Sequence, residues 1–368
     1  MTTQTQTEDL DPVVELAQQA PNGELEDSET TRAPALGKRF FNLRTLISFA
    51  LGFTIIAFLF TRVQIDVGAI LDWVRQANPA LLVAATVAFY ATFPVRALRW
   101  KRLLGNVALT ERGRLGSARR ASSLPVAVLS EIIFLGWFAN CIVPAKLGDA
   151  YRAYLLKLNA GVSFSTTIGT ILAERIIDML LLFVLLAGSV LLAFHGALPS
   201  VVLGIMQVGL VLVCAVIVGL FAMRNLSGHI TRLVPRRFRH QYGLFEEGTL
   251  GSFQALPLVL LYSLVGWGIE ASRLYLVCLS LGLFLLSPPI VLFVALASAL
   301  LTTLPVTPAG LGFVESAIVG ILILAAGFGL APGVDENVAT SVAILDRTIS
   351  YWSLVLVGLG LYFFTRRS

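Results

Sequence analysis

Glu174, Arg175 and Asp178 interrupt a stretch that is otherwise apolar from 164 to 195. Glu174 and Asp178 are four residues apart, so a helix would carry both carboxylates on one face, with Arg175 beside the first. Nine more ionisable side chains fall inside or against apolar stretches: Glu131, Lys146, Asp149, Arg152, Glu270, Arg273, Glu315, Asp346 and Arg347. Asp149 and Arg152 are three apart, as are Glu270 and Arg273, so each acid can meet a base on its own helix. At the centre of a membrane helix each such charge costs on the order of 2.5–3.5 kcal/mol on insertion scales. A chain that only had to span a bilayer would not carry a dozen of them. The pattern predicts a protected polar cavity in which Lys146, Arg152 and Arg175 bind an anionic head group. Asp149, Glu174, Asp178 and Glu315 would orient those bases or take up a proton, with Glu270, Arg273 and Arg347 as supporting polar groups. Ion pairs that merely lock helices together, or side chains that reach back to the interface, are the competing explanation for Arg152, Arg273 and Arg347. Glu131 and Glu315 fit either.

Two helix-breaking clusters accompany these charges. Asn140, Pro144, Lys146, Gly148 and Asp149 form the first; Pro305, Pro308, Gly310 and Gly312 form the second. Residues 144–148 and 308–312 share the pattern Pro-Ala-x-Leu-Gly. Irregular backbone at membrane depth is tolerated only where protein buries it or water reaches it. A half-helix starting after either proline would point its N–H groups and positive dipole end at the cavity, which again favours an anion.

The elements that must position these groups follow from composition. Of 368 residues, 57% are apolar and 13% charged, against about 25% charged in a soluble domain. Apolar blocks run approximately over 45–61, 79–95, 124–143, 164–195, 199–222, 255–284, 287–303, 311–330 and 338–364. In hydrocarbon the backbone must satisfy itself, so such blocks become helices, and the alternating ten-residue pattern of a membrane β-barrel is absent from the sequence. The predicted fold is all-α, a polytopic transmembrane bundle. Lys and Arg cluster before the first block, at 96–120, at 223–254 and at the C-terminus, placing those regions and both termini in the cytoplasm. An even number of crossings must then separate 96–120 from 223–254, where three blocks lie. The first of them is therefore read as a re-entrant hairpin over roughly 124–160, and 287–330 as its counterpart. The candidate repeat units are 79–195 and 255–364, related by inversion as in many secondary transporters. The basic loop 96–123, with Trp100, Leu103 and Leu104, suits a segment resting on anionic lipid.

The first 31 residues hold eight acids and no Lys or Arg. Residues 1–35 are read as a disordered acidic cytoplasmic tail preceding an integral membrane domain at 36–368. Cys141, Cys214 and Cys278 lack Cys-x-x-Cys spacing, and His195, His229 and His240 are scattered, so neither a disulfide, a metal nor a cofactor is expected. No Gly-x-x-x-x-Gly-Lys-Ser/Thr motif occurs, so energy would come from an ion gradient, a partner or the lipid's own gradient. The expected partners are membrane lipids, with a partner enzyme or a second copy as further candidates and no nucleic acid.

At these residues the chain resembles the lysylphosphatidylglycerol synthase transmembrane, or flippase-like, integral membrane proteins, over about residues 40–365. The family pattern Asn-x-x-x-Pro-x-x-x-Gly-Glu-x-x-Arg is similar to Asn140, Pro144, Gly148, Asp149 and Arg152, with Asp149 in place of the usual Glu. Glu-Arg-x-x-Asp resembles Glu174, Arg175 and Asp178, and Arg-Trp resembles Arg99-Trp100. Pro-x-x-Pro-x-Gly-x-Gly-x-x-Glu resembles Pro305, Pro308, Gly310, Gly312 and Glu315. A late Arg followed by aromatics resembles Arg347, Tyr351 and Trp352. The resemblance implies translocation of phospholipids or lipid-linked intermediates between the leaflets of the plasma membrane. The soluble acyltransferase-like domain of bifunctional relatives has no counterpart before Ser368, so synthase activity is not expected to carry over. Two other function classes stay open at this point: an intramembrane enzyme using Asp149, Glu174 and Asp178 on a lipid head group, and a non-transporting envelope scaffold.

Overall fold

A computed structural model describes residues 43–62, 66–109, 117–142, 147–193, 200–302 and 307–365. Among them the regular structure is entirely helical. The segment 1–35, Pro144, Lys146, Pro305 and His195 lie outside the described residues. In chain order the helices are α1 Leu43–Arg62, α2 Val67–Gln76, α3 Pro79–Ala108, α4 Ser117–Ser123, α5 Val126–Ile142, α6 Leu147–Ala160, α7 Phe164–Ala193 and α8 Ser200–Asn225. They continue as α9 Ser227–Leu233, α10 Arg239–Gly251, α11 Leu256–Ser280, α12 Pro288–Thr302, α13 Phe313–Gly327 and α14 Glu336–Arg347. A π-helical turn, Thr348–Trp352, then leads into α15 Ser353–Thr365.

Local chemistry sets several of these boundaries. Asn78 caps α3 by accepting from the Ala80 N–H at 2.9 Å, and Pro79 occupies the first helical position, where its missing donor costs nothing. Asp66 caps α2, and Asp335 caps α14 through the Val338 N–H at 2.8 Å. Ala255 takes a left-handed conformation (φ 50°) between α10 and α11, where the chain bends by 80°. A second bend of 99° separates α4 from α5.

Among the described residues five helices are long and apolar enough to cross a membrane, or up to seven if each bent pair counts as one span. The distribution of polarity agrees. Leu191 is 70% and Phe221 69% exposed, while Arg99 is 2%, Arg152 0% and Glu174 3% exposed. Apolar side chains outside and charges inside suit hydrocarbon as the solvent and would be untenable in water. The chain is a multi-pass helical membrane protein.

α3 does not end where the apolar block 79–95 ends. It runs on to Ala108, so the expected loop at 96–123 is corrected: Arg96, Arg99, Trp100, Leu103 and Leu104 are buried on a helix rather than resting on lipid. The physical reason is that both arginines find carboxylates inside the protein, as described below.

The interior is organised around α3 against α11, the most extensive helix pair. Within 79–195, α3 packs on α5, α5 on α6, and α6 on α7; within 255–364, α11 packs on α12, α12 on α13, and α13 on α14. Across the two, α7 meets α12 and α15 meets α5. These pairs correspond one to one, whereas the contacts of α4 with α3 and α6 have no counterpart in 255–364. The α5–α6 pair is drawn close at Gly136 and Gly148, where a Cβ on Gly148 would collide with the Gly136 carbonyl oxygen.

Candidate functional site

Three groups of buried ion pairs sit where these helices meet. In the first, Arg99 on α3 makes a two-pronged contact with Asp178 on α7, one prong at 3.1 Å, and reaches Glu174 at 2.8 Å and the Ser263 hydroxyl on α11 at 2.9 Å. Arg152 on α6 donates to the other oxygen of Glu174 at 3.1 Å and lies 4.4 Å from the Trp100 ring centre. Trp100 in turn donates to the Thr170 hydroxyl at 3.2 Å. Arg175 turns the other way, to Asp149 in the first turn of α6, at 2.9 and 3.3 Å.

The second group joins α3, α11 and α14. Arg273 pairs with Glu270 at 3.0 Å and with Asp346. Arg96 lies between two indoles, 4.7 Å from the Trp137 ring centre and 5.6 Å from that of Trp267. The one carboxylate within 4 Å of it among the described residues is Glu270, at 3.8 Å, which is beyond hydrogen-bonding range, and the charge of Asp178 also acts on it.

The third group is built on the second helix break. Arg347 donates from Nε to Glu315 at 2.7 Å and from Nη2 to the Ala309 carbonyl at 3.2 Å. The other Glu315 oxygen accepts from the Gly312 N–H at 2.7 Å. Ala309 has φ 44°, a region costly for a residue with a Cβ, while Gly310 and Gly312 take φ 73° and 87° freely. Arg347 thus clamps a strained turn. Tyr351, in the π-helical turn, lies 4.8 Å from the Arg347 guanidinium and donates to the Cys141 carbonyl at 3.0 Å, tying this group to the end of α5.

The groups enclose a cavity of about 350 Å³. Arg96, Arg175, Arg273 and Arg347 line it together with Asp178, Glu270 and Asp346. Two of the arginines come from 79–195 and two from 255–364. The ion pairs correspond as well. Arg175 is held by the first-turn acid of α6, and Arg347 by the first-turn acid of α13. Each arginine follows an acid, Glu174 or Asp346, that pairs with an arginine of α3 or α11.

The sequence-predicted site residues distribute unevenly over this geometry. Arg175 and Asp178 line the cavity, as do Glu270, Arg273, Arg347 and Asn140. Arg152 does not reach it. Its guanidinium is taken by Glu174 and its stem passes over Gly136, which places it behind the cavity wall. Glu174, Asp149 and Glu315 also lie behind the cavity wall, where the last two hold Arg175 and Arg347. The spacing of Asp149 and Arg152 produces only a 4.0 Å approach. Glu131 is exposed and belongs to none of the groups. The helix starts are less available than expected: Asn140 accepts the Gly148 N–H at 2.9 Å, and Glu315 occupies that of Gly312. Lys146 lies outside the described residues.

Sequence reasoning missed Arg96, Trp137 and Trp267, and it met Arg99 only in the family's Arg-Trp pattern, without its partners. A signal for the two arginines was present. Arg96, Arg99, Trp100, Leu103, Leu104 and Val107 follow helical spacing, and all six are buried. Read as one face, they extend the helix and turn both arginines inward.

Residues 46–358 match the family described as the lysylphosphatidylglycerol synthase TM region. The chain is 36% identical over 232 residues to a UPF0104 membrane protein of Methanocaldococcus jannaschii, covering 63% of this chain and 95% of the relative. It is 28% identical over 258 residues to a UPF0104 membrane protein of Pyrococcus horikoshii, covering 62% and 74% respectively. It is 26% identical over 358 residues to a protein of Haloferax volcanii named glycosyltransferase AglD, covering 86% of this chain and 54% of that one.

Proposed function

Because the chain belongs to the family of lysylphosphatidylglycerol synthase transmembrane regions, we propose that it translocates a phospholipid or lipid-linked intermediate between bilayer leaflets. The supporting observation is the cavity between the two sets of helices, lined by four arginines inside an apolar shell. A polar head group crossing hydrocarbon alone would lose its hydration, and a cavity furnished with charges replaces it. At about 350 Å³ the space lies near the lower end of ligand-pocket volumes. It suits a head group, leaving the acyl chains in the bilayer.

In this reading 79–195 and 255–364 are two inverted repeats, each with a re-entrant hairpin, α5–α6 and α12–α13. Rocking of one against the other would expose the cavity to each side in turn. The matched arginines and their first-turn acids support the repeat. The protein acts in the plasma membrane with both termini in the cytoplasm and leaves the lipid covalently unchanged. It works with membrane lipids and with a partner enzyme or a second copy.

Reconstitution into liposomes with a labelled phospholipid tests this directly. Leaflet exchange above that of empty liposomes is expected, with the lipid recovered intact by mass spectrometry. Arg175→Ala should insert normally yet lose about tenfold or more in exchange, since it removes a charge-assisted contact. Unchanged exchange would remove Arg175 from the site. A second reading is favoured by the name of the Haloferax volcanii relative and by the carboxylates Asp178, Glu270 and Asp346 at the cavity. It is an intramembrane enzyme acting on a lipid-linked group, and a covalently altered lipid in the same experiment would decide for it.

A further inference from the structure

Most charges at the cavity are already partnered. Besides the Nε atoms of Arg175 and Arg273, three of the exceptions, on Arg96, Glu270 and Trp267, are neighbours. Arg96 is nine-tenths buried, makes no hydrogen bond among the described residues, and leaves its Nε unpartnered. Glu270 Oε2, Trp267 Nε1 and Thr307 Oγ are also buried without a hydrogen-bond partner. All four residues line the cavity. Leaving such atoms unsatisfied is unfavourable, more so when charged, so the wall is completed by whatever enters.

The mixture of donors and acceptors narrows the occupant. A phosphate alone would accept from Arg96 and the Trp267 N–H but would be repelled by Glu270. An ammonium would suit Glu270 and leave Arg96 and Trp267 empty. A pair of neighbouring hydroxyls serves both, each oxygen accepting from Arg96 or the indole while an O–H donates to Glu270 Oε2. The carboxylate and guanidinium are 3.8 Å apart, close enough for one diol to bridge. Trp137 and Trp267 hold the Arg96 guanidinium by cation–π attraction, so it keeps its place without a carboxylate contact. The same rings offer apolar surface to the C–H face of a ring.

We propose that this wall binds a hydroxyl-rich group, a sugar or polyol, whose neighbouring hydroxyls bridge Arg96 and Glu270. The inference rests on the reading of the cavity as a lipid head-group site and names the class of head group.

The test uses the full chain in detergent, titrated while indole fluorescence is followed, with phosphatidylinositol, a glucosyl diacylglycerol, phosphatidic acid and phosphatidylethanolamine as probes. Free myo-inositol and methyl glucoside form a second arm. The hydroxylated lipids should bind at least about tenfold tighter than the other two, the equivalent of one hydrogen bond. Glu270→Gln should shrink that preference. Because Glu270 also supports Arg273, Trp267→Phe provides a variant that keeps an aromatic ring and every ion pair while removing the N–H, with Trp137 left at the cavity to report binding, and it should shrink the preference as well. Phosphatidic acid or phosphatidylethanolamine binding as tightly as the hydroxylated lipids would overturn the proposal, as would an undiminished preference in Trp267→Phe. Binding of the free sugars in place of the lipids would uphold the diol site and overturn lipid transport. Leaflet exchange of all phospholipids alike would do the reverse.

Discussion

Arg99→Ala is expected to destabilise the protein by about 3–5 kcal/mol, the usual consequence of removing one partner from a buried ionic network. Arg99 is the point where three helices meet: it compensates Asp178 and shares Glu174 with Arg152, both on α7, and reaches Ser263 on α11. Truncation would leave Asp178 without its cation in a region that water reaches poorly. Thermal unfolding in detergent, read as the fraction remaining monodisperse after heating, should show a large drop. Arg99→Lys should fall between, because an ammonium keeps the charge but loses the planar fork that grips two oxygens of Asp178. Arg99→Met combined with Asp178→Leu should recover much of the stability, since well-packed apolar groups often replace a buried pair at little cost. That double variant should still lose leaflet exchange, because Asp178 lines the cavity. An Arg99→Ala protein as heat-resistant as the parent would mean that the two acids do not depend on this guanidinium.

Why the sequence offered Arg99 only as half of an Arg-Trp pattern, and not as an ion-pairing residue, is instructive. The fold class was legible because a bilayer imposes one rule on every spanning segment, and long uncharged runs such as 199–222 meet it with little ambiguity. Charges inside those runs were legible for the same reason: Glu174 and Asp178 have no business in hydrocarbon unless they are paired. Arg96 and Arg99 sit one turn beyond an apolar block, where the habit of counting arginines as cytoplasmic markers absorbed them. Positive-inside counting sees charge and not the helix face. Only the alternation of Trp100, Leu103, Leu104 and Val107 carries the information that the helix continues with that face inward. The pairing pattern was partly hidden too. Spacing by three or four finds partners on one helix, as with Glu270 and Arg273, but other pairs join residues far apart in sequence, such as Arg99 with Asp178 or Arg273 with Asp346. These depend on tertiary placement that local periodicity does not encode. The Pro/Gly clusters marked where the helices break, while the role of Glu315 as the acid that both closes the α13 start and holds Arg347 emerged only from the geometry.

A second large effect is expected at Gly148, where the chain has no room for a methyl group. A Cβ there would fall on the Gly136 carbonyl oxygen and within 2.6 Å of the Asn140 Oδ1. The first is backbone, and the second is engaged with the Gly148 N–H, so neither can yield cheaply. Overpacking typically costs about 1–3 kcal/mol, and more when backbone must shift. Gly148→Val should therefore pry α6 from α5, while Gly320→Ala, at a site where a Cβ meets nothing within 4 Å, should stay within about 0.5 kcal/mol of the parent. Cys141 reports the separation. It is buried at the end of α5, with its carbonyl held by Tyr351, whereas Cys214 is exposed. In a Cys214→Ser background, maleimide should label Gly148→Val rapidly and the parent slowly, with buried Cys278 as the internal reference. Leaflet exchange should fall in parallel, even though Gly148 is not part of the cavity wall, because α6 carries Asp149 and Asp149 holds Arg175 in place. If Cys141 stayed protected and exchange survived in Gly148→Val, the close approach of α5 and α6 would not be what positions Arg175.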